Sequence, residues 1–181
     1  MCKRVAIVVG HTSKRPGAVS VGGVSEYRFN DPIAHMVADK LAAIDGVEGF
    51  VVYRGLPNAL RALPAKINAQ RPDLILSLHF NAASFSASGS EMLYCKGSKN
   101  GRRFARLLQK EILAALGVRD RGVKSRVRKD RGGYLLTKTA APAVIAEPFF
   151  GSNRKDWDKA KNAKNEIADA YVRAIRAYFG V

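Results

Sequence analysis

Four side chains in this sequence have the types and positions to do chemistry together. His11 and His79 each end a short apolar run, "VAIVVGH" and "DLILSLH", and Glu147 ends a third, "APAVIAE". Glu26 closes a Gly/Ser/Val stretch that begins just after His11. Two imidazoles and one carboxylate form the set that a catalytic zinc ion uses, leaving a fourth position for water. A further carboxylate, off the metal, can take the proton from that water. The loop between His11 and Glu26 is long and rich in glycine, so Glu26 can fold back onto a metal that His11 already holds.

Plainer readings stand beside this one. A histidine after a strand often just reaches solvent, and an acid in the first turn of a helix is common. Glu147 resists that treatment, because a single charge inside an apolar run is costly unless paired or bound. His35, the third histidine, falls mid-helix and is set aside. Asn81 lies two residues past His79, on the same side of an extended strand. It either holds substrate, supports the site or closes a strand-end turn.

The elements that must position these groups are legible as apolar patterns. Val5–Val9 is a continuous β-branched run, the mark of a strand covered on both faces. Further strands are expected at Phe50–Tyr53, Asp73–Phe80, Glu91–Cys95 and Ala143–Ala146, with a short one at Val123–Val127. Helical periodicity runs over Tyr27–Ile44, Asn100–Leu116 and Lys161–Phe179, the last with Ile167, Tyr171, Ile175 and Tyr178 inward. Pro32 is tolerable if the first of these helices starts near Asn30 or Asp31. Leu56–Gln70 reads as a short helix interrupted or restarted at Pro64. Strands alternating with helices predict an α/β fold: one domain over 1–181, a mostly parallel twisted sheet with helices on both faces. Such sheets bind ligands outside the carboxyl ends of their strands, where His11, His79 and Glu147 stand.

Taken in order, "IVVGHTSKRPGA…GGVSEYRFN", "DLILSLHFNA", "RGVK" and "TKTAAPAVIAEPFFGSN" resemble the motifs of the zinc-dependent N-acetylmuramoyl-L-alanine amidases of the type 3 family. The match runs over nearly the whole chain, and four separated motifs agree. The resemblance implies that His11, Glu26 and His79 bind Zn2+ and that Glu147 is the catalytic carboxylate. It implies hydrolysis of the peptidoglycan amide between N-acetylmuramic acid and the first L-alanine of the stem peptide. The sequence departs from the family pattern at Thr12, after the first histidine, and at Pro148 and Phe149, after Glu147.

Composition sets the outer limits. At 181 residues and 47% hydrophobic the chain can bury one core. Cys2 and Cys95 form no spaced cluster, which argues against a disulfide framework or thiolate zinc knuckle. The opening apolar run stops after about five residues, short of the ~7–15 of a signal peptide. No stretch approaches the ~20 apolar residues of a membrane span. Net charge is +16, and residues 96–138 hold fourteen Lys and Arg against three acids. That basic segment is expected to draw the chain toward the anionic bacterial envelope. Nucleic acid is not the expected partner, since no reader motif is present, and a monomer is expected. A bare, basic, leaderless catalytic domain without a separate wall-binding domain suggests a phage or prophage endolysin, held in the host cytoplasm until released. The rival readings are another zinc peptidase on a similar sheet, either carboxypeptidase or aminopeptidase, and a non-catalytic basic polyanion-binding domain.

Overall fold

The computed structural model describes residues 2–55 and 59–181. Six strands form one sheet: β1 (Lys3–Val9), β2 (Val47–Tyr53), β3 (Leu74–Leu78), β4 (Ser90–Cys95), β5 (Asp120–Arg126) and β6 (Ala143–Glu147). Their order across the sheet is β2-β1-β3-β6-β4-β5. β2, β1, β3 and β6 run parallel, whereas β4 meets β6 antiparallel and β5 runs alongside β4 at the outer edge. The sheet is therefore mostly parallel, as the alternation of elements predicts. The reversal at β4 has no signature in its own residues.

Six helices cover the two faces: α1 (Glu26–Ala42), α2 (Ala59–Ala69), α3 (Lys99–Leu116), α4 (Gly133–Lys138), α5 (Arg154–Ala160) and α6 (Lys164–Phe179). Alternate strand residues sort between two cores. Val5, Ile7, Val9, Leu74, Leu76 and Leu78 pack under α1, α3 and α6. Ala6, Val8, Ile75, Leu93 and Ile145 pack under α2 and α4, chiefly against Leu63, Ile67, Leu135 and Leu136. Burying each of these Val, Leu and Ile side chains stabilises the fold by about 1.5–3 kcal/mol.

Several boundaries differ from the expectations. α1 starts at Glu26, not near Asn30 or Asp31, because Ser25 caps it by accepting a hydrogen bond from the Arg28 N–H. Pro32 consequently lies inside the helix, in its second turn. α2 runs through Pro64 without interruption. The part of that expected helix at Leu56–Asn58 lies outside the described residues. Lys161–Ala163 precede the last helix, which begins at Lys164, and the short helices α4 and α5 went unpredicted. Cys95 is partly exposed and Cys2 exposed; both are free thiols.

Candidate active site

β1 leads by way of α1 to β2 on one side, and β2 leads by way of α2 to β3 on the other. The chain therefore reverses direction between β1 and β3, and the crevice of an open α/β sheet forms at that point. His11 emerges from β1 and His79 from β3, with ring centroids 5.1 Å apart. His11 has a left-handed backbone (φ 66°), an uncommon conformation for a non-glycine residue and one found at functional sites. Gly17 lies so close beneath this ring that a Cβ there would stand 2.6 Å from His11 Cδ2.

Glu26 closes the set. The loop before it folds back, its Ala18 carbonyl accepting the Glu26 N–H (2.9 Å) and its Pro16 carbonyl the Tyr27 N–H. The first residue of α1 is thereby driven under both imidazoles. Glu26 is 1% exposed. Its Oε2 lies 3.3 Å from His11 Nε2 and 3.0 Å from His79 Nδ1, and its Oε1 accepts the Ala18 N–H at 3.0 Å. Burial opposes ionisation of Glu26, but hydrogen bonds from the two histidines outweigh it and hold its pKa well below the usual carboxylate range. One ligand atom from each of His11, Glu26 and His79 lies within 4.8 Å of the others.

Glu147 ends β6, the strand next to β3, and lines the same cleft as His11 and His79. It is 4% exposed and accepts no hydrogen bond from a described residue. Burial pushes its pKa up, against the opposing charges of His79 and Arg131. The cleft has a volume of about 360 Å³, with an apolar wall formed by Leu60, Leu63 and Leu135. The geometry brings all four expected residues to one rim.

Two features lay beyond the sequence reading. Phe29, Phe80 and Phe149 stand three, one and two residues after Glu26, His79 and Glu147, and all three are fully buried. Phe149 packs against the other two with centroids 5.1 and 5.3 Å away, so one aromatic cluster clamps the backbone beside three of the four groups. The signal was an aromatic shortly after each chemical residue. The second feature is Glu91. Its carboxylate accepts from Arg121 Nε (2.7 Å), Lys124 Nζ (2.8 Å) and Asn81 Nδ2 (3.1 Å). Asn81 thus braces the sheet beside the site. His35 lies outside the cleft, its Nε2 2.7 Å from the Tyr53 hydroxyl.

Eight of the fourteen cations in the basic segment 96–138 fall into three groups. Lys99, Arg102, Arg103, Arg106 and Lys110 form an exposed stripe on α3, on the sheet face opposite the cleft. Arg121 and Lys124 neutralise Glu91, and Arg131 lines the cleft.

The family model described as N-acetylmuramoyl-L-alanine amidase matches residues 5–177. The chain belongs to that amidase family. Membership sets its enzyme class. Among relatives, the protein YqiI of Bacillus subtilis is 33% identical over 183 aligned positions, covering 98% of this chain and 85% of YqiI. The amidase LytC of the same organism is 31% identical over 175 positions, 94% of this chain but 34% of LytC. The chain therefore spans about a third of LytC. Of solved structures, the catalytic domain of the CD27L endolysin, which targets Clostridia difficile, superposes with a TM-score of 0.83 at 27% identity, covering 97% of each chain. The amidase fold thus extends over essentially the whole chain.

Proposed function

We propose that this chain is a zinc-dependent hydrolase of the amide bond between N-acetylmuramic acid and L-alanine in peptidoglycan, and that it serves as an endolysin. The observation that carries the chemistry is the convergence of His11, Glu26 and His79 beside the buried carboxylate of Glu147. The donors suit zinc: two imidazole nitrogens and one carboxylate oxygen, with the carboxylate's other oxygen held by a backbone N–H. An anionic Glu26 buried between two imidazoles also favours a cation at that point.

Zinc held by these three residues would supply Lewis acidity, polarising the scissile carbonyl and making the attacking water more acidic. The remaining work belongs to the chain. Glu147 accepts a proton from the attacking water at its carboxylate. As the C–N bond breaks, Glu147 returns that proton to the departing nitrogen of L-alanine. The products are a carboxylate on the lactyl group and a stem peptide with a free amine. Its raised pKa suits a group that must first accept and then donate.

The endolysin role rests on the likeness to the CD27L catalytic domain and on the strongly basic surface, which suits an anionic envelope. In such a role the chain gathers in the host cytoplasm and reaches the wall when the membrane is breached. Digestion of purified peptidoglycan tests the chemistry. Mass analysis is expected to find stem peptides freed from intact glycan, and a chelator to abolish their release until zinc is restored. Release of single amino acids instead would point to a peptidase. Clearing of chloroform-treated cells tests the lytic role; cells left intact by active enzyme would refute it.

A further inference from the structure

Arg131 stands in the cleft on a turn that is itself tightly held. The Val127 N–H donates to Asp130 Oδ2 (2.8 Å), the Asp130 N–H to the Val127 carbonyl (3.0 Å), and the Gly133 N–H to the Asp130 carbonyl (2.9 Å). Gly132 takes a left-handed backbone (φ 79°) and presses on the cleft floor, where a Cβ would meet Ile145 Cδ1 at 2.6 Å. Ile145 lies two residues before Glu147 on β6. The turn is thus seated on the strand that carries the proton carrier, and the charge of Arg131 acts on Glu147. The neighbouring acid, Asp130, is engaged by the Val127 N–H. Among the described residues, Arg131 has no ion pair and donates no hydrogen bond. The backbone of the turn is fixed while the exposed guanidinium at the cleft edge has no counter-anion, an arrangement that suits a planar carboxylate.

The amidase reading fixes which carboxylate this is. Glu147 must reach the departing amine, so the stem peptide leaves on the Glu147 side of the cleft, where Arg131 stands. One extended residue spans about 3.5 Å, which places the second stem residue, D-glutamate, next in line. That residue is linked through its side chain, so its α-carboxylate stays free unless amidated. We propose that Arg131 is a specificity-determining residue that binds the α-carboxylate of the second stem residue and selects non-amidated stems. The proposal rests on the amidase reading. Arg54 provides an internal comparison: it lines the cleft beyond His11, at the β2 side, and is half-buried beside Arg15. Its charge lies away from the leaving peptide.

The test is internal competition on peptidoglycan in which some second residues are free acids and others amides, with released stems counted by mass. The enzyme is expected to release acid stems about tenfold faster than amide stems at low salt, with the ratio shrinking as salt rises. Arg131→Gln is expected to bring the ratio near one, Arg131→Lys to keep part of it, and Arg54→Gln to leave it unchanged. Arg131 is exposed on a turn, so its variants should fold, and circular dichroism would verify this. Stems released in proportion to their abundance by the unmodified enzyme would overturn this subsite while leaving the amidase reading intact. So would a preference that survives Arg131→Gln. Release of no stems at all would sink the amidase reading and this proposal together.

Discussion

Glu91 and Glu147 face each other as paired residues across the antiparallel junction of β4 and β6, and their surroundings pull them apart. Burial opposes the charge on Glu91, but hydrogen bonds from Arg121 and Lys124 overcome it and depress its pKa. Glu147 has no such partners, and burial raises its pKa. Two neighbouring carboxylates thereby differ in character: Glu91 stays an anion that braces the sheet, and the surroundings of Glu147 suit the proton carrier proposed above.

Glu147→Gln should lower kcat by about 10²–10⁴-fold, the range of a lost general acid–base. It should also stabilise the chelator-treated protein at neutral pH. The folded state holds this proton more tightly than the unfolded one, so the carboxyl's contribution is present below its ordinary value near 4.5 and is lost as pH rises through the raised value. The variant should therefore have a higher Tm than the parent at pH 7 and the same Tm at pH 4, as calorimetry can check. Activity of the unmodified enzyme should fall in acid, because the base must be ionised.

Gly17→Ala should weaken metal binding at least tenfold. The new methyl would stand 2.6 Å from His11 Cδ2, at a backbone φ of 83° that alanine resists. Gly23→Ala is the matched comparison, with φ 76° but nothing within 4 Å. It should lose about 1 kcal/mol of stability and keep its zinc affinity. Titration against a competing chelator separates the two.

Removing the brace should cost stability before activity. Glu91→Ala leaves Arg121, Lys124 and Asn81 without their shared acceptor, and should cost about 2–3 kcal/mol in urea unfolding at pH 7. The depressed pKa of Glu91 means its contribution is present above the ordinary carboxylate value and lost as pH falls through the lower one. The gap between variant and parent should accordingly narrow in acid.

Phe149 links the core to the chemistry. Phe149→Ala should cost about 3–5 kcal/mol, because a fully buried ring in contact with Phe29 and Phe80 would be replaced by a void. Phe149→Leu should fold, yet loosen the backbone two residues past Glu147. An approximately tenfold loss in kcat with unchanged zinc affinity would show the cluster positioning that carboxylate.

The convergence of the four candidate residues was legible because three of them end apolar runs and the fourth follows a glycine-containing loop. The brace was not. Glu91 meets Arg121 and Lys124 only through the pairing of β4 and β5, a contact across some thirty residues that no local pattern encodes. The seven residues of β5, "DRGVKSR", lack apolar alternation, so the strand was placed late, at Val123–Val127, and ends instead at Arg126. α4 and α5 span six and seven residues, too few turns for a helical period to emerge. Ser25 could have located the start of α1, but Pro32 drew the boundary inward, although a proline in the second turn forfeits only one backbone hydrogen bond.

β5 is also one of the two edge strands of the sheet, with one flank of its backbone unpaired. Arg121, Lys124 and Arg126 occupy three of its seven positions; Glu91 offsets part of the charge of the first two, and Arg126 has no ion pair among the described residues. A second molecule approaching that flank to extend the sheet would bring its own cations against these, and the repulsion disfavours the join. The positive charge of this edge strand therefore guards the protein against stacking into fibrils.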